Sequence, residues 1–270
     1  MEERGGESAV NPVMRALLAS LAGDGARMSV RVQEREVYDP EDPAEAPDLV
    51  LLKSATDLSL SRAVAEEAAG ILFVNPARAT LEAHDKAATV ARLAAAGLPV
   101  PETYVFTAGA EIGSGAGEGR WVAKPVRGVH GRGVTFHDDA REFTGAVKID
   151  EDPVVADDGT RLIQHRVGGD EADLKVYVAN GRCFSGEKRF TAESYATDEI
   201  SPINLSPETE GVILATGEAL GLTCYGVDLR FDEDGPKIID ANPFPGYRGF
   251  PEAVESLRAE IGRALGAAQG

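Results

Sequence analysis

Residues 237–253, KIIDANPFPGYRGFPEA, run a strand-like segment into Asp240, place Asn242 two positions later and turn at once through Pro, Gly, Tyr and Arg. Side chains alternate along a strand, so Ile238, Asp240 and Asn242 are expected on one face and Ile239 and Ala241 on the other. In the preceding segment GVDLRF, the same rule groups Asp228 with Arg230, opposite Val227, Leu229 and Phe231. A hairpin loop at 232–236, which suits the donor-less Pro236, sets Asp228 directly across from Asp240. Two carboxylates facing each other destabilise a sheet unless a cation lies between them. Two carboxylates and a carboxamide are oxygen donors of the kind hard Mg²⁺ takes, with Mn²⁺ an alternative. The competing reading is that the acids are solvated edge residues and that Asn242 only starts the turn. Three oxygen donors on one face favour the metal.

A second group lies in AKPVRGVHGRGV. Lys124 ends a strand, and Arg127, Gly128, His130, Gly131, Arg132 and Gly133 follow. Such a turn offers backbone N–H groups and positive charge to a polyphosphate, and its glycines allow close approach and movement as a lid. Read blandly, it is an exposed basic hairpin. Lys175 shares a strand face with Asp173 and Tyr177, and it either faces the site or faces solvent. His130, beside the phosphate cradle, is placed to meet a transferring phosphoryl group. His84, His137 and His165 receive no role.

The elements that must position these residues alternate at first. Asn11 caps a helix whose first residue is Pro12, with Val13, Leu17, Leu18 and Leu21 on one face. A short strand SVRVQ, an acidic Pro-rich loop at 39–48, a strand DLVLLK, a helix SRAVAEEAAG closed by Gly70 and a strand ILFVN follow. This pattern predicts an α/β unit over 1–78. One helix is expected from Glu82 to Gly97, then LPVPET as extended chain. AGAEIGSGAGEGR reads as a loop between strands near Val105 and Trp121. RLIQHRV, DLKVYVANGRCFSGEKRF, CYGVDLRF and KIIDAN supply further strands, broken by a helix at 207–220, with a closing helix from about Pro251. Hairpin-paired strands predict α+β units with a largely antiparallel sheet, at 79–158 and 159–270.

Composition bounds the partners. Lys and Arg number 27 against 45 Asp and Glu, a formal charge of −18 that argues against a general nucleic-acid binder. Cys183 and Cys224 lack metal or disulfide-framework spacing. The start of the chain carries no hydrophobic signal core and no apolar run nears a membrane span, so a cytoplasmic protein with no membrane partner, monomeric or homodimeric, is expected.

In this order, the segments resemble an ATP-grasp enzyme over nearly the whole chain. NPARATLEAHDKAATVARLAAAGLPVPET and WVAKPVRGVHGRGV resemble the start of the ATP-binding region and its lysine and glycine-rich lid, LIQHRV the adenine hinge, and GVDLRF with KIIDAN the metal strands. The resemblance implies ATP and Mg²⁺ as cofactors. Lys86 and Lys124 would contact phosphates, and Gln164, Arg166 and Val167 would form the hinge. Asp170, Glu171 or Asp173 would meet the ribose, and Asp228, Asp240 and Asn242 the metal. Two groups compete within the family. NPFPGYRGFPE, LLKSATD and LKVYV are similar to inositol trisphosphate kinases, and this version leads. It implies γ-phosphoryl transfer to a hydroxyl, with Lys53, Arg78, His130, Lys175, Lys188, Arg189, Asn242, Gly246 and Arg248 around a phosphorylated polyol and Arg230 on acceptor or phosphate. HDKAATVARLAAAGLPVPET and GVDL are similar to ribosomal-protein glutamate ligases of the RimK type, which join a carboxylate and an amine through an acyl phosphate. A binding module that has lost catalysis is the third reading.

Overall fold

The computed structural model describes residues 11–32, 37–39, 46–107, 110, 118–128, 133–139, 159–169, 173–188 and 200–267, the side chain of Lys188 excepted. The first helix, α1 (Pro12–Gly23), is capped by Asn11, whose Oδ1 accepts the Val13 N–H at 2.8 Å. It buries Val13, Met14 and Leu17. Two short parallel strands, β1 (Leu49–Leu51) and β2 (Leu72–Val74), flank α2 (Asp57–Ala68), giving a strand–helix–strand unit, the simplest α/β form. Helix α2 starts four residues before the expected SRAVAEEAAG segment, capped by Thr56, whose Oγ1 accepts the Ser59 N–H at 3.2 Å. The expected SVRVQ strand is absent over 29–32: no described strand offers it a partner, and Val30 is exposed.

The single helix expected at 82–97 is two, α3 (Ala77–Ala83) and α4 (Lys86–Ala95). Asp85 breaks the run because its Oδ1 caps α4 by accepting the Ala88 N–H at 2.9 Å. Lys86 is thereby the first residue of α4, near the positive end of the helix. A four-stranded antiparallel sheet follows, in the order β3 (Thr103–Phe106), β6 (Arg161–His165), β4 (Glu118–Pro125), β5 (Thr135–Asp139). The β4–β5 hairpin is the one expected around the glycine-rich turn; residues 129–132 of that turn lie outside the described residues.

The larger sheet orders β11 (Gly235–Pro243), β10 (Cys224–Asp232), β7 (Asp173–Ala179), β8 (Arg182–Lys188) and β9 (Ser201–Pro202), every pair antiparallel. One of its faces packs with α5 (Pro207–Leu220) and α4 around Val176, Ile213, Val227, Leu229 and Ile238, all essentially buried. A second core joins α1, the C-terminal α6 (Ala253–Ala267) and the aromatic turn between β11 and α6 through Leu17, Phe244, Tyr247, Phe250 and Leu257. No helix among the described residues is long and apolar enough to cross a membrane.

Register in the β10–β11 hairpin departs from expectation in a way that sets the site. The turn is tighter than 232–236: Asp232 pairs with Gly235, and Pro236 lies within the strand opposite Phe231. An edge strand tolerates the missing donor of Pro236. A one-residue bulge at Ile239 restores the offset, so that Asp228 still faces Asp240 while Leu229 faces Ile238. The bulge also re-sorts the faces. Ile238 joins Ala241 in the core, and the expected grouping of Ile238 with Asp240 and Asn242 does not hold.

Candidate active site

Three adjacent strands place Lys175, Asp228 and Asp240 in one row, because Asp228 pairs with Lys175 on β7 and with Asp240 on β11. Lys175 Nζ donates to Asp228 Oδ2 at 2.7 Å. Lys86, from the first turn of α4, donates to Asp240 Oδ1 and Oδ2 at 3.0 and 3.3 Å. Asn242 Nδ2 donates to Asp240 Oδ2 at 3.2 Å. The two carboxylates are thus held face to face with an ammonium at each end of the row.

Backbone contacts fix these pieces together. The Lys86 N–H donates to the Val126 carbonyl at 3.0 Å, joining α4 to the end of β4, and the Ile238 N–H on the open edge of β11 donates to Pro99 at 2.8 Å. The bulge turns the Ile239 carbonyl to Lys124, whose Nζ donates to it at 2.8 Å. Lys86, Thr89, Val90 and Leu93 fall on one face of α4 and line a cleft with Lys124, Leu162, Gln164 and residues 238–241. The cleft has a cationic end at Lys86 and Lys124 and an apolar flank at Val90, Leu93 and Leu162. The contribution of Thr89, Val90 and Leu93 was readable from their helical spacing after Lys86 but is absent from the sequence expectation.

Electrostatics follow from burial and this pairing. Burial pushes Lys124 down to about 8 against the opposing pull of Asp240. Burial acts to raise Asp240, but Lys86 and Lys124 outweigh it and hold its carboxyl below the usual range. Burial raises Asp228, and Asp240 adds to that, with Lys175 opposing. Burial acts to lower Lys175, but the charge and hydrogen bond of Asp228 more than offset it and leave the ammonium raised. His84, at the α3–α4 break, is pushed down to about 4 by burial and then by Lys86 and Lys53. It is a neutral imidazole beside the cationic end of the cleft, and the sequence reading gave it no role.

The other expected site residues divide by position. Gln164 is buried in β6 and its Nε2 donates to Thr103 Oγ1 at 3.2 Å. Beyond it the segment 165–169 carries Arg166, whose Nη2 donates to the Gly169 carbonyl at 3.1 Å, and buried Val167. Asp173 does not point into the row; its Oδ1 accepts from Arg230 Nε at 2.6 Å. Arg230 shares the strand face of Asp228, as expected, yet its guanidinium is held by Asp173 and by backbone carbonyls. Lys53 Nζ donates to the Phe244 carbonyl at 2.5 Å and lies 5.5 Å from the Phe244 ring centre. Gly246 accepts from Asn11 Nδ2 at 2.7 Å, and a Cβ there would approach that nitrogen to 2.5 Å. Arg248 is exposed. Gly128 is half-buried and follows Arg127, which pairs with Asp57 at 3.5 Å. Gly133 has φ +68°, and a Cβ there would meet Pro125 Cγ at 2.8 Å. His130, Gly131, Arg189, Asp170 and Glu171 lie outside the described residues, as does the side chain of Lys188.

With this geometry in hand, the comparisons with known proteins agree on the fold. The family model described as ATP-grasp domain matches residues 83–246, well over half of the chain, and the chain belongs to that family. A probable alpha-L-glutamate ligase of Xylella fastidiosa is 28% identical over 206 residues, covering 72% of this chain and 66% of that protein, just under two thirds of its length. Another, of Methanococcoides burtonii, is 23% identical over 266 residues, 94% of this chain and 84% of its own. Among solved structures, D-alanine–D-alanine ligase from Bacillus anthracis superposes with a TM-score of 0.72 at 17% identity over 100% of this chain and 97% of its own. The RimK domain protein ATP-grasp from Sphaerobacter thermophilus does so at 0.66 and 21%, covering 96% and 93%. At these identities the structural likeness is one of fold.

ATP with Mg²⁺ is the cofactor pair of this family. The residues fit it. Among the described residues no cluster of three His, Cys, Asp or Glu is gathered for a metal, but Asp228, Asp240 and Asn242 supply the mixed carboxylate–carboxamide oxygens that Mg²⁺ accepts. The two carboxylates sit together across a strand pair, Asp228 paired with Lys175 and Asp240 with Lys86, so a metal ion would share their oxygens with these ammoniums.

Proposed function

We propose that the protein is an ATP-dependent carboxylate–amine ligase, of the kind that adds glutamate or another amino acid to a carboxylate. The observation that carries the reading is the 28% identity to a probable alpha-L-glutamate ligase across 72% of the chain. The kinase reading that led on sequence finds no support among the matched relatives. Of the cations it required around a polyphosphorylated acceptor, Lys53 is bound to a backbone carbonyl and Lys175 to Asp228.

In the proposed reaction an acceptor carboxylate oxygen bonds to the γ-phosphorus of ATP as ADP departs. The amine nitrogen then attacks the acyl carbon, phosphate leaves with the electron pair of the C–O bond, and the ammonium proton passes to solvent. Mg²⁺, held by Asp228, Asp240 and Asn242, would supply charge neutralisation. Lys86 and Lys124 would hold the nucleotide phosphates, with residues 164–167 as the base-binding hinge. Such a site works by positioning and charge rather than by covalent chemistry of its own. On this reading the chain divides at 1–78, 79–158 and 159–270, with the nucleotide between the last two.

Phosphorus NMR of the purified protein with ATP and Mg²⁺ tests the reading. Inorganic phosphate and ADP should accumulate when mixed L-amino acids are added, and not with inositol or inositol phosphates. A new phosphate-ester signal with an inositol phosphate would reinstate the kinase.

A further inference from the structure

Arg230 was expected to touch acceptor or phosphate, but its contacts lie elsewhere. Nε donates to Asp173 Oδ1 at 2.6 Å, and Nη1 reaches the carbonyls of Gly169 at 2.9 Å and Val167 at 3.4 Å. Both partners of the ion pair are largely buried, with side-chain exposures of 17% and 8%. A second guanidinium, that of Arg166, donates to the same Gly169 carbonyl and stacks over the Phe136 ring of β5 at 5.4 Å. From the other side, the Arg166 N–H donates to the Arg120 carbonyl of β4 at 2.7 Å. The segment 166–169 is therefore gripped between the strand pair that bears the glycine-rich turn and the strand that bears Asp228.

We propose that Arg230, braced by Asp173, is a positioning residue for the nucleotide base: it fixes the 166–169 backbone and so sets base affinity and selectivity, without contacting phosphate or acceptor. The inference rests on reading 164–167 as the nucleotide hinge. Its physical basis is that backbone carbonyls and N–H groups at a hinge recognise a base edge only if their directions are fixed. A planar guanidinium bound to a carboxylate is a rigid donor fork that can fix two carbonyls at once. Arg230 also lies two residues from Asp228 on one strand, about 7 Å along it. The base end and the metal end of the nucleotide are thus registered by a single β10.

The test uses the full chain with Arg230→Lys, Arg230→Gln and Asp173→Asn, and Mg-ATP and Mg-GTP as probes. Lysine keeps the charge but cannot span the carboxylate and both carbonyls. Each variant should raise KM for ATP by roughly tenfold or more, the loss of a charged hydrogen bond. The ATP-to-GTP preference should fall, while kcat and the amino-acid KM stay within about threefold. A fall in kcat at unchanged ATP KM, or a raised amino-acid KM, would overturn the proposal. Hydrogen exchange of residues 164–169 with and without Mg-ATP separates it from the reading beneath it. Failure of ATP to protect the parent segment would remove the hinge reading itself. Equal protection and equal ATP affinity in parent and Arg230→Lys would leave the hinge in place and overturn the role of Arg230. Should the glutamine variant not fold, the lysine and Asp173→Asn variants decide.

Discussion

Replacing Asn75 by Ala should cost far more stability than its size implies. Asn75 is fully buried just after β2, and its side chain joins that strand to the start of β10. Oδ1 accepts the Thr223 and Cys224 N–H groups at 2.9 and 2.7 Å, and Nδ2 donates to the Cys224 carbonyl at 2.6 Å. The Cys224 carbonyl keeps the Phe244 N–H at 2.8 Å, so truncation takes the Asn75 acceptor from two backbone N–H groups, that of fully buried Cys224 and that of half-buried Thr223. Each buried polar group left unpaired costs about 1–3 kcal/mol, and these two give about 3 kcal/mol. For a chain of this length that is roughly 9 °C in Tm. Urea and thermal unfolding of the parent and Asn75→Ala proteins, followed by circular dichroism, read the difference. A loss below about 1 kcal/mol would refute the argument that Asn75 completes the hydrogen bonding of this strand junction.

Other perturbations address the site. Lys124 is held at about 8 against an ordinary 10.5. The unfolded chain therefore binds more protons between those values, and the contribution of Lys124 to stability rises with pH across that window. Nucleotide affinity should move oppositely, weakening above pH 8 as the ammonium is lost; calorimetry from pH 7 to about 9.5 should find a steeper fall in the parent than in Lys124→Met, and equal slopes would contradict the assignment. Asp240→Asn should lower ATP turnover by at least about a hundredfold and shift the Mg²⁺ titration to higher concentration, and unchanged turnover would remove the catalytic metal site. Gly133→Val forces a branched residue into left-handed backbone against Pro125. It should slow turnover more than it weakens ATP binding, and equal losses would remove the idea that this turn closes over the reacting phosphate.

Much of the site was legible because hairpins and side-chain alternation are local. Asp228 and Asp240 could be paired from spacing alone, and Asn242 follows on the same side. The pairing was nevertheless reached through a loop that does not form: a tight turn and the Ile239 bulge together give the same offset. Residue types do not announce a bulge, so neither the core placement of Ile238 nor the carbonyl offered to Lys124 could be read. At His84 and Asp85 the apolar periodicity carries through, and only the capping bond of Asp85 reveals two helices. The leaning toward a kinase came from NPFPGYRG and Lys53. In the structure Phe244, Tyr247 and Phe250 are core residues, and Lys53 and Asn11 hold the carbonyls of that turn. The likeness there is carried by residues that pack and brace, which constrain the acceptor only weakly.

The most direct test of the account is the fate of carboxylate oxygen. The protein is supplied with ATP, Mg²⁺ and L-amino acids labelled with ¹⁸O in their carboxylates, and the released phosphate is analysed by mass. Transfer of one ¹⁸O into inorganic phosphate, coupled to amide formation, is the result predicted for phosphoryl transfer to a carboxylate followed by amine attack. Phosphate released without label, or phosphate retained as an ester on a hydroxyl, would contradict it.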